Sequence, residues 1–209
     1  MSSVLRTHTG RQKQRYENQF RLVAGCVPYR IKDRKESPCD LGQRLELLMV
    51  STPNREDLIF PKGGWEDDET VLEAACRETF EEAGIKGILD ENPLGCWTFR
   101  SKSSTEKICS ASIEEGANGG CKGQMFALEV QEELDSWPQK ATHGRVWVSA
   151  RDASHLCRYD WMREAIDALI SRLSGNGPIT GPKMDDVISP KRTKTDQPYC
   201  ISSSKDQLT

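Results

Sequence analysis

PKGGWEDDETVLEAACRETFEEAGI, residues 61–85, places Glu78, Glu81 and Glu82 within five residues of one another, just behind a proline and a glycine pair. Thr70 and Glu73 have the spacing of a capping box, and Asp67, Asp68 and Glu69 bring negative charge to the start of the segment. Gly84 stands where a helix would end on a left-handed residue. These signals predict a helix from Val71 to Ala83. At about 100° per residue, Leu72, Cys76, Thr79 and Ala83 share one arc and the three glutamates lie nearly opposite. One side is therefore expected to pack and the other to collect charge. Glu78 and Glu82 are one turn apart, and such a like-charge pair costs a few tenths of a kcal/mol, roughly, unless something offsets it. A hard divalent cation would do so, because magnesium takes oxygen ligands from one or two carboxylates, water and phosphate. The alternative is a solvated acidic face with Arg77 and Lys86 as ion-pair partners.

Outward from this stretch, 209 residues without a linker between two apolar halves predict one domain with polar ends. No apolar run approaches the roughly 18 residues a membrane helix needs. A net charge of −3 argues against a general nucleic-acid binder, so a phosphate-rich ligand must be met by local cations. The eight cysteines form no CxxC, and His8, His143 and His155 are scattered, so reduced thiols in a reducing compartment are expected. Residues 1–19 form a basic arm carrying Arg6, Arg11, Lys13 and Arg15. It reads either as a weak organelle-targeting segment or as an arm folded over the domain.

From Phe20 the texture becomes strand-like: FRLVAGCVPYR, LELLMVST, DLIF, GCWTFRSKS, GQMFALEV and GRVWVSA are predicted strands. DLIF is expected to stop at Pro61 and a flexible Gly63-Gly64 pair. YDWMREAIDALISRL is a closing amphipathic helix with Trp161, Ala165, Ile166, Leu169 and Leu173 toward the core. The polar, glycine-rich stretch 102–123 reads as a mobile loop, and 174–209 as a disordered tail whose SPKRTK reads as a solvated basic cluster, or else as a phosphorylation site or weak nuclear signal. The domain thus spans 20–173.

Gly63, Glu69, Arg77-Glu78, Glu81-Glu82, Gly84 and Ile85 match G-x5-E-x7-R-E-U-x-E-E-x-G-U, where U is bulky and apolar. The pattern resembles the signature of the Nudix hydrolases, with one departure, Thr79 at the first U position, which touches packing more than chemistry. RLVAGCVPYR, FPKGGWEDDE, FRSKS and CRYDWM are similar to a plant branch related to diphosphoinositol polyphosphate and diadenosine polyphosphate phosphohydrolases.

The resemblance implies an α/β Nudix fold, a mixed β-sheet sandwiched between helices. It implies Glu78 and Glu82 as the main Mg²⁺ or Mn²⁺ ligands, Glu81 as a further ligand or the base that activates water, and the Gly63 carbonyl as a backbone ligand. Arg77 would orient the glutamates by ion pairing. Lys62, beside the glycine loop with Gly64, is suited to hold a substrate phosphate as a point charge. Arg21, Arg100, Lys102 and Arg145 fall at or near positions where this branch gathers cations. Trp65, Trp97 and Trp147 either stack an adenine or, as buried tryptophans commonly do, serve structure.

The expected activity is metal-dependent cleavage of phosphoanhydride bonds in diphosphoinositol polyphosphates or diadenosine polyphosphates. The alternatives are a pyrophosphatase for ADP-ribose or NADH, or a module that binds polyphosphate without cleaving it. A small-molecule polyphosphate is the expected partner, with no nucleic acid and no membrane, for a monomer in cytoplasm or nucleus, or in mitochondria if the basic arm is an address.

Overall fold

In the computed structural model, the described residues are 13–32, 41–100, 120–175 and 200–202. The run from Phe20 to Ile31 (β2) is apolar too continuously for a strand with one wet face, and Val23 to Pro28 are all buried. It is accordingly central. On one side it pairs in parallel with Gly120–Glu133 (β6), in register from Arg21 opposite Cys121 to Tyr29 opposite Glu129. On the other it pairs antiparallel with Leu45–Ser51 (β3). Adding Gly144–Ser149 (β7), Ile85–Arg100 (β5) and Cys200–Ser202 (β8), the sheet runs β7-β3-β2-β6-β5-β8, with Tyr16–Glu17 (β1) and Lys62–Gly64 (β4) also paired to β2. The helices among the described residues are Leu41–Arg44 (α1), Val71–Ala83 (α2), Ala150–Leu156 (α3) and Asp160–Leu173 (α4).

The two longer helices lie on opposite faces. Cys26 of β2 reaches the Ala75 carbonyl of α2 at 3.6 Å. Trp97 and Phe99 of β5 stack with Trp161 of α4, with ring centroids 5.8 and 5.3 Å apart. Trp97 is in register with Gly123, and Gly123 with Val23, one pleat out of phase with Cys26. Arg21 and Gly25, in phase with Val23, therefore belong to the α4 face.

Several expectations change. DLIF supplies only isolated bridges, Val50 to Ile59 and Leu58 to Cys157, whereas Lys62–Gly64, expected to be flexible, is a strand. Backbone pairing needs no side chains, and here there is no room for them: a Cβ on Gly63 would lie 2.1 Å from the Glu78 carboxylate. β5 starts directly after Gly84, ten residues before the predicted strand, because irregularities around Lys86, Leu89 and Pro93 hide its alternation. α3, capped by Ser149 accepting from the Asp152 N–H, is a helix that the sequence pattern does not announce. Cys26, Cys96, Cys121 and Cys157 are free thiols as expected, but Cys76 is disulfide-bonded, a pairing that sequence spacing does not reveal. Of the expected mobile loop, 102–119 lies outside the described residues and Gly120 onward is strand. Within the tail, Cys200–Ser202 pairs in parallel with Gly87 to Leu89.

Candidate active site

α2 begins and ends as its sequence predicts. The Thr70 hydroxyl accepts from the Glu73 N–H while the Glu73 carboxylate accepts from the Thr70 N–H, and Gly84 has φ of 63°. The strand-to-helix connection is tied to the helix by Glu69 and Arg77. Arg77 donates through Nε and NH2 to the two Glu69 carboxylate oxygens at 2.9 and 2.7 Å, through NH1 to Glu78 at 2.8 Å, and through NH2 to the Gly64 carbonyl at 2.8 Å. Glu81 lies 3.8 Å from the same guanidinium. Burial opposes the charge on Arg77, but the Glu69 carboxylate, followed by Glu78, more than restores it, and its pKa is raised.

The charged side of α2 is not the solvated face of the alternative reading: Glu82 is only 9% exposed. Its Oε2 accepts from the Lys62 backbone N–H at 3.0 Å, and the His143 ring lies 3.8 Å from its Oε1. Trp137 covers the helix end, donating from its indole to the Glu82 carbonyl at 2.9 Å. Burial pushes the Glu82 carboxyl up to about 7, with Glu78 adding to the shift and Lys62 opposing it. Burial likewise raises Glu78, against the pull of Arg77. Lys62 is lowered by burial despite the Glu82 carboxylate beside it, and His143 is lowered by burial and by the nearby cations Lys62 and Arg158. Glu78, Glu82, Lys62 and His143 are thus each pushed toward the neutral form by burial, as in a pocket arranged around charges it does not itself supply.

The residues suit a hard cation. Glu78 gives one oxygen to Arg77 and Glu82 one to the Lys62 amide, leaving each carboxylate a second oxygen. Gly63, without a side chain, lets the strand backbone come against Glu78. No three Asp, Glu, His or Cys groups converge as a complete cage among the described residues. Magnesium does not require one, since it retains water and takes phosphate oxygens.

The structure brings Glu78, Glu81, Glu82, Arg77, Gly63, Gly64 and Lys62 together. Arg21, on the α4 face, donates to Gln14 at 2.7 Å and lies near enough to Glu78 to favour its charged form. Arg145 packs on Trp137. Its guanidinium lies 4.2 Å over the Trp137 ring, donates to the Gly84 carbonyl and faces Glu133 at 3.9 Å, so it braces the end of α2. The Arg100 side chain and Lys102 lie outside the described residues. The three tryptophans are engaged by protein: Trp65 donates to the Glu69 carbonyl under Arg15, Trp97 donates to Glu164 and packs on Trp161, and Trp147 lies under Arg30. Sequence reasoning missed His143, Trp137 and Arg158. Only the fold places them here, and their residue types and spacing carry no signal.

A NUDIX domain model matches residues 20–169. Nudix hydrolase 12, mitochondrial, of Arabidopsis thaliana is 56% identical over 172 residues, 80% of this chain and 81% of that protein. Nudix hydrolase 13, mitochondrial, of the same plant is 54% identical over 178 residues, covering 84% and 86%. Among solved structures, a C. elegans Ap4A hydrolase binary complex matches 74% of this chain and 98% of its own, with 21% identity and a TM-score of 0.49. With the glutamates, the arginine and the glycines of the signature in place on a mixed sheet between helices, the chain belongs to the Nudix hydrolase family, enzymes that act on pyrophosphate bonds and generally use divalent metals.

Proposed function

We propose that this hydrolase cleaves phosphoanhydride bonds in crowded polyphosphates, either diphosphoinositol polyphosphates or diadenosine polyphosphates, with Mg²⁺ or Mn²⁺. The observation that carries the reading is the buried Glu82 and the neighbouring Glu78, whose side chain is only 12% exposed, against the Gly63 backbone, with Lys62 alongside. Glu78 and Glu82 would hold the cation, with the Gly63 carbonyl as a backbone ligand. When bound, it supplies neutralisation of phosphate oxygens and a more acidic water. Lys62 and Arg21 hold phosphate oxygens, joined by Arg100, the last residue of β5, and by Lys102, while Gly64 lets the loop approach them. Arg77 keeps Glu78 and the Gly64 carbonyl in place.

Glu81 completes the set, either as a third ligand or as acceptor of the water's proton. Glu81→Gln separates the two roles. Loss of a ligand raises the metal concentration for half activation, whereas loss of a base lowers kcat alone, by about 10² to 10⁴.

The main test is a substrate panel with Mg²⁺: inositol pyrophosphates, diadenosine pentaphosphate, ADP-ribose and NADH. Polyphosphates are expected to have the highest kcat/KM, and Glu82→Gln to lower it by roughly 10³, the scale of losing a group that stabilises transition-state charge. Undiminished turnover by Glu82→Gln removes the metal seat from this site. No turnover by the wild type on any member indicates a binding module, and preference for ADP-ribose or NADH moves the substrate class.

We take the protein to act as a monomer. Cytoplasm and nucleus are the starting assignment, and the mitochondrial designation of two relatives favours a test of import. Segment 1–12 is the part available as an address, because Lys13 to Arg15 are built into the catalytic loop.

A further inference from the structure

We propose that residues Lys13 to Arg15, ahead of the family-matched span, are a positioning element for the catalytic loop, with Arg15 and Gln14 as its working residues. The segment runs antiparallel to the loop between β4 and α2. The Arg15 N–H donates to the Trp65 carbonyl and the Asp67 N–H to the Lys13 carbonyl, each at 2.9 Å, and Gln14 bridges Glu66. The Arg15 guanidinium then donates to three loop carbonyls, Glu66 at 2.9 Å, Asp67 at 2.8 Å and Glu69 at 3.3 Å, while lying 4.7 Å over the Trp65 ring. One planar fork thus satisfies a turn of backbone that no strand or helix claims.

The loop held this way leads straight to the glutamates. The Glu69 carboxylate takes the Glu66 N–H at 2.9 Å and the two Arg77 bonds, and Arg77 carries Glu78 and the Gly64 carbonyl. A displacement of Glu69 by Arg15 is therefore passed to Glu78 through one side chain. Gln14 acts on the other flank: its carboxamide oxygen lies 1.6 Å from where a Gly64 Cβ would be, and it accepts from Arg21. It thereby keeps the strand backbone close and aims a cation proposed to hold phosphate.

The described part of the arm, from Lys13 on, contributes little to the core. Tyr16 is 56% exposed and Phe20 37%, and a cavity of about 620 Å³ lies between the arm and the sheet, bordered by Arg15, Glu17, Trp65 and Gln124. A segment that buried apolar surface for stability would close that space. This one spends its bonds on the loop.

The kinetic arm of the test rests on the hydrolase reading, and the exchange arm does not. In the full-length chain, Arg15→Ala, Arg15→Lys, Gln14→Ala and Glu17→Ala are compared for kcat, KM and Mg²⁺ half activation on diadenosine pentaphosphate, for amide exchange across residues 64–69, and for Tm. Arg15→Ala is expected to lower kcat about 10- to 100-fold, the usual cost of losing an outer support of a metal site, with KM within a few-fold and higher Mg²⁺ demand. Exchange at the Asp67 amide should rise. Arg15→Lys should not rescue, since one ammonium cannot serve three carbonyls and lie flat on an indole. Gln14→Ala should raise KM. Glu17→Ala, a change on the same arm that removes its ion pair with Lys122 of β6, should leave kcat and loop exchange as in the wild type.

Wild-type kcat and unchanged loop exchange in Arg15→Ala would overturn the proposal, as would equal losses in Glu17→Ala, which would reduce the arm to adhesion. A wild type silent on the nucleotide, with loop exchange still accelerated by Arg15→Ala, supports the loop-holding role and strikes the substrate reading instead.

Discussion

Helices α2 and α4 have 13 and 14 residues and cover opposite faces of one sheet, yet only α2 buries a carboxylate along with its apolar residues. α4 presents Trp161, Met162, Ala165, Ile166 and Leu169 to the core, in an aromatic group with Trp97 and Phe99. Its first residue follows Tyr159, which makes no side-chain cap bond. α2 has both capping-box bonds and a left-handed glycine at its end, but its buried surface includes Glu82, and the side chains of Arg77, Glu78 and Glu81 are at most 15% exposed. A helix with an apolar face can do without good ends. A helix that must hold desolvated carboxylates loses packing energy on that side and is specified by its ends and by one arginine. The difference predicts that damage to α2 appears first in turnover and damage to α4 first in stability.

The largest effect should come from Arg77→Ala. Removing the guanidinium leaves Glu69 and Glu78 buried without their cation, which costs about 3–5 kcal/mol for a buried network deprived of one partner. Activity should fall by a further ~10- to 100-fold among molecules that remain folded, as for other supports of a metal ligand. Arg77→Lys should recover little, because Glu69 is held by a fork. Chemical denaturation and kcat/KM on the same preparations check both parts. A variant that kept wild-type kcat/KM would show that the arginine of α2 serves stability, and the contrast between the helices would fail.

The mirror experiment is Trp161→Ala. It opens the centre of the aromatic group and is expected to cost about 3–5 kcal/mol, the range for deleting a large aromatic from a core. At a temperature where the variant is folded, kcat/KM should stay within a few-fold. A 100-fold loss would mean that the aromatic group forms part of the substrate surface, and the division between the faces would need redrawing.

What could be read beforehand follows the same division. The limits of α2, its caps and the Thr79 contact were legible because they depend on residues three to five apart, and Thr79 is fully buried, as a packing residue should be. The central strand was legible from its unbroken apolar run. β4 was not, since a glycine pair reads as freedom until Glu78 and Gln14 are seen crowding it. The start of β5 was masked by its irregular pairing and by Pro93. In the site, the signature glutamates and Arg77 were found by spacing. Arg15 and Trp137 reach the loop and helix from 51 and 55 residues away, respectively, through bonds to backbone carbonyls, and any arginine or indole could make those. Arg145 illustrates the converse: a cation at a promising position that the fold commits to Trp137 and Gly84.

The smallest effect sharpens the comparison at the start of α2. Thr70→Ala removes one half of the capping box and should cost about 1 kcal/mol, the typical value for an N-cap hydroxyl. For a domain of this size that corresponds to a Tm lower by about 2–4 °C. Thr70→Ser should retain stability, because the acceptor oxygen is what matters. Turnover should change less than twofold, since the neighbouring Glu69 is held independently by Arg77 and by the Glu66 N–H. Thermal unfolding and kcat measured together decide the point. If kcat fell tenfold for a shift of only a few degrees, fraying of the first turn would be reaching the glutamates, and the end of the helix would have to be counted with the site rather than with its scaffold.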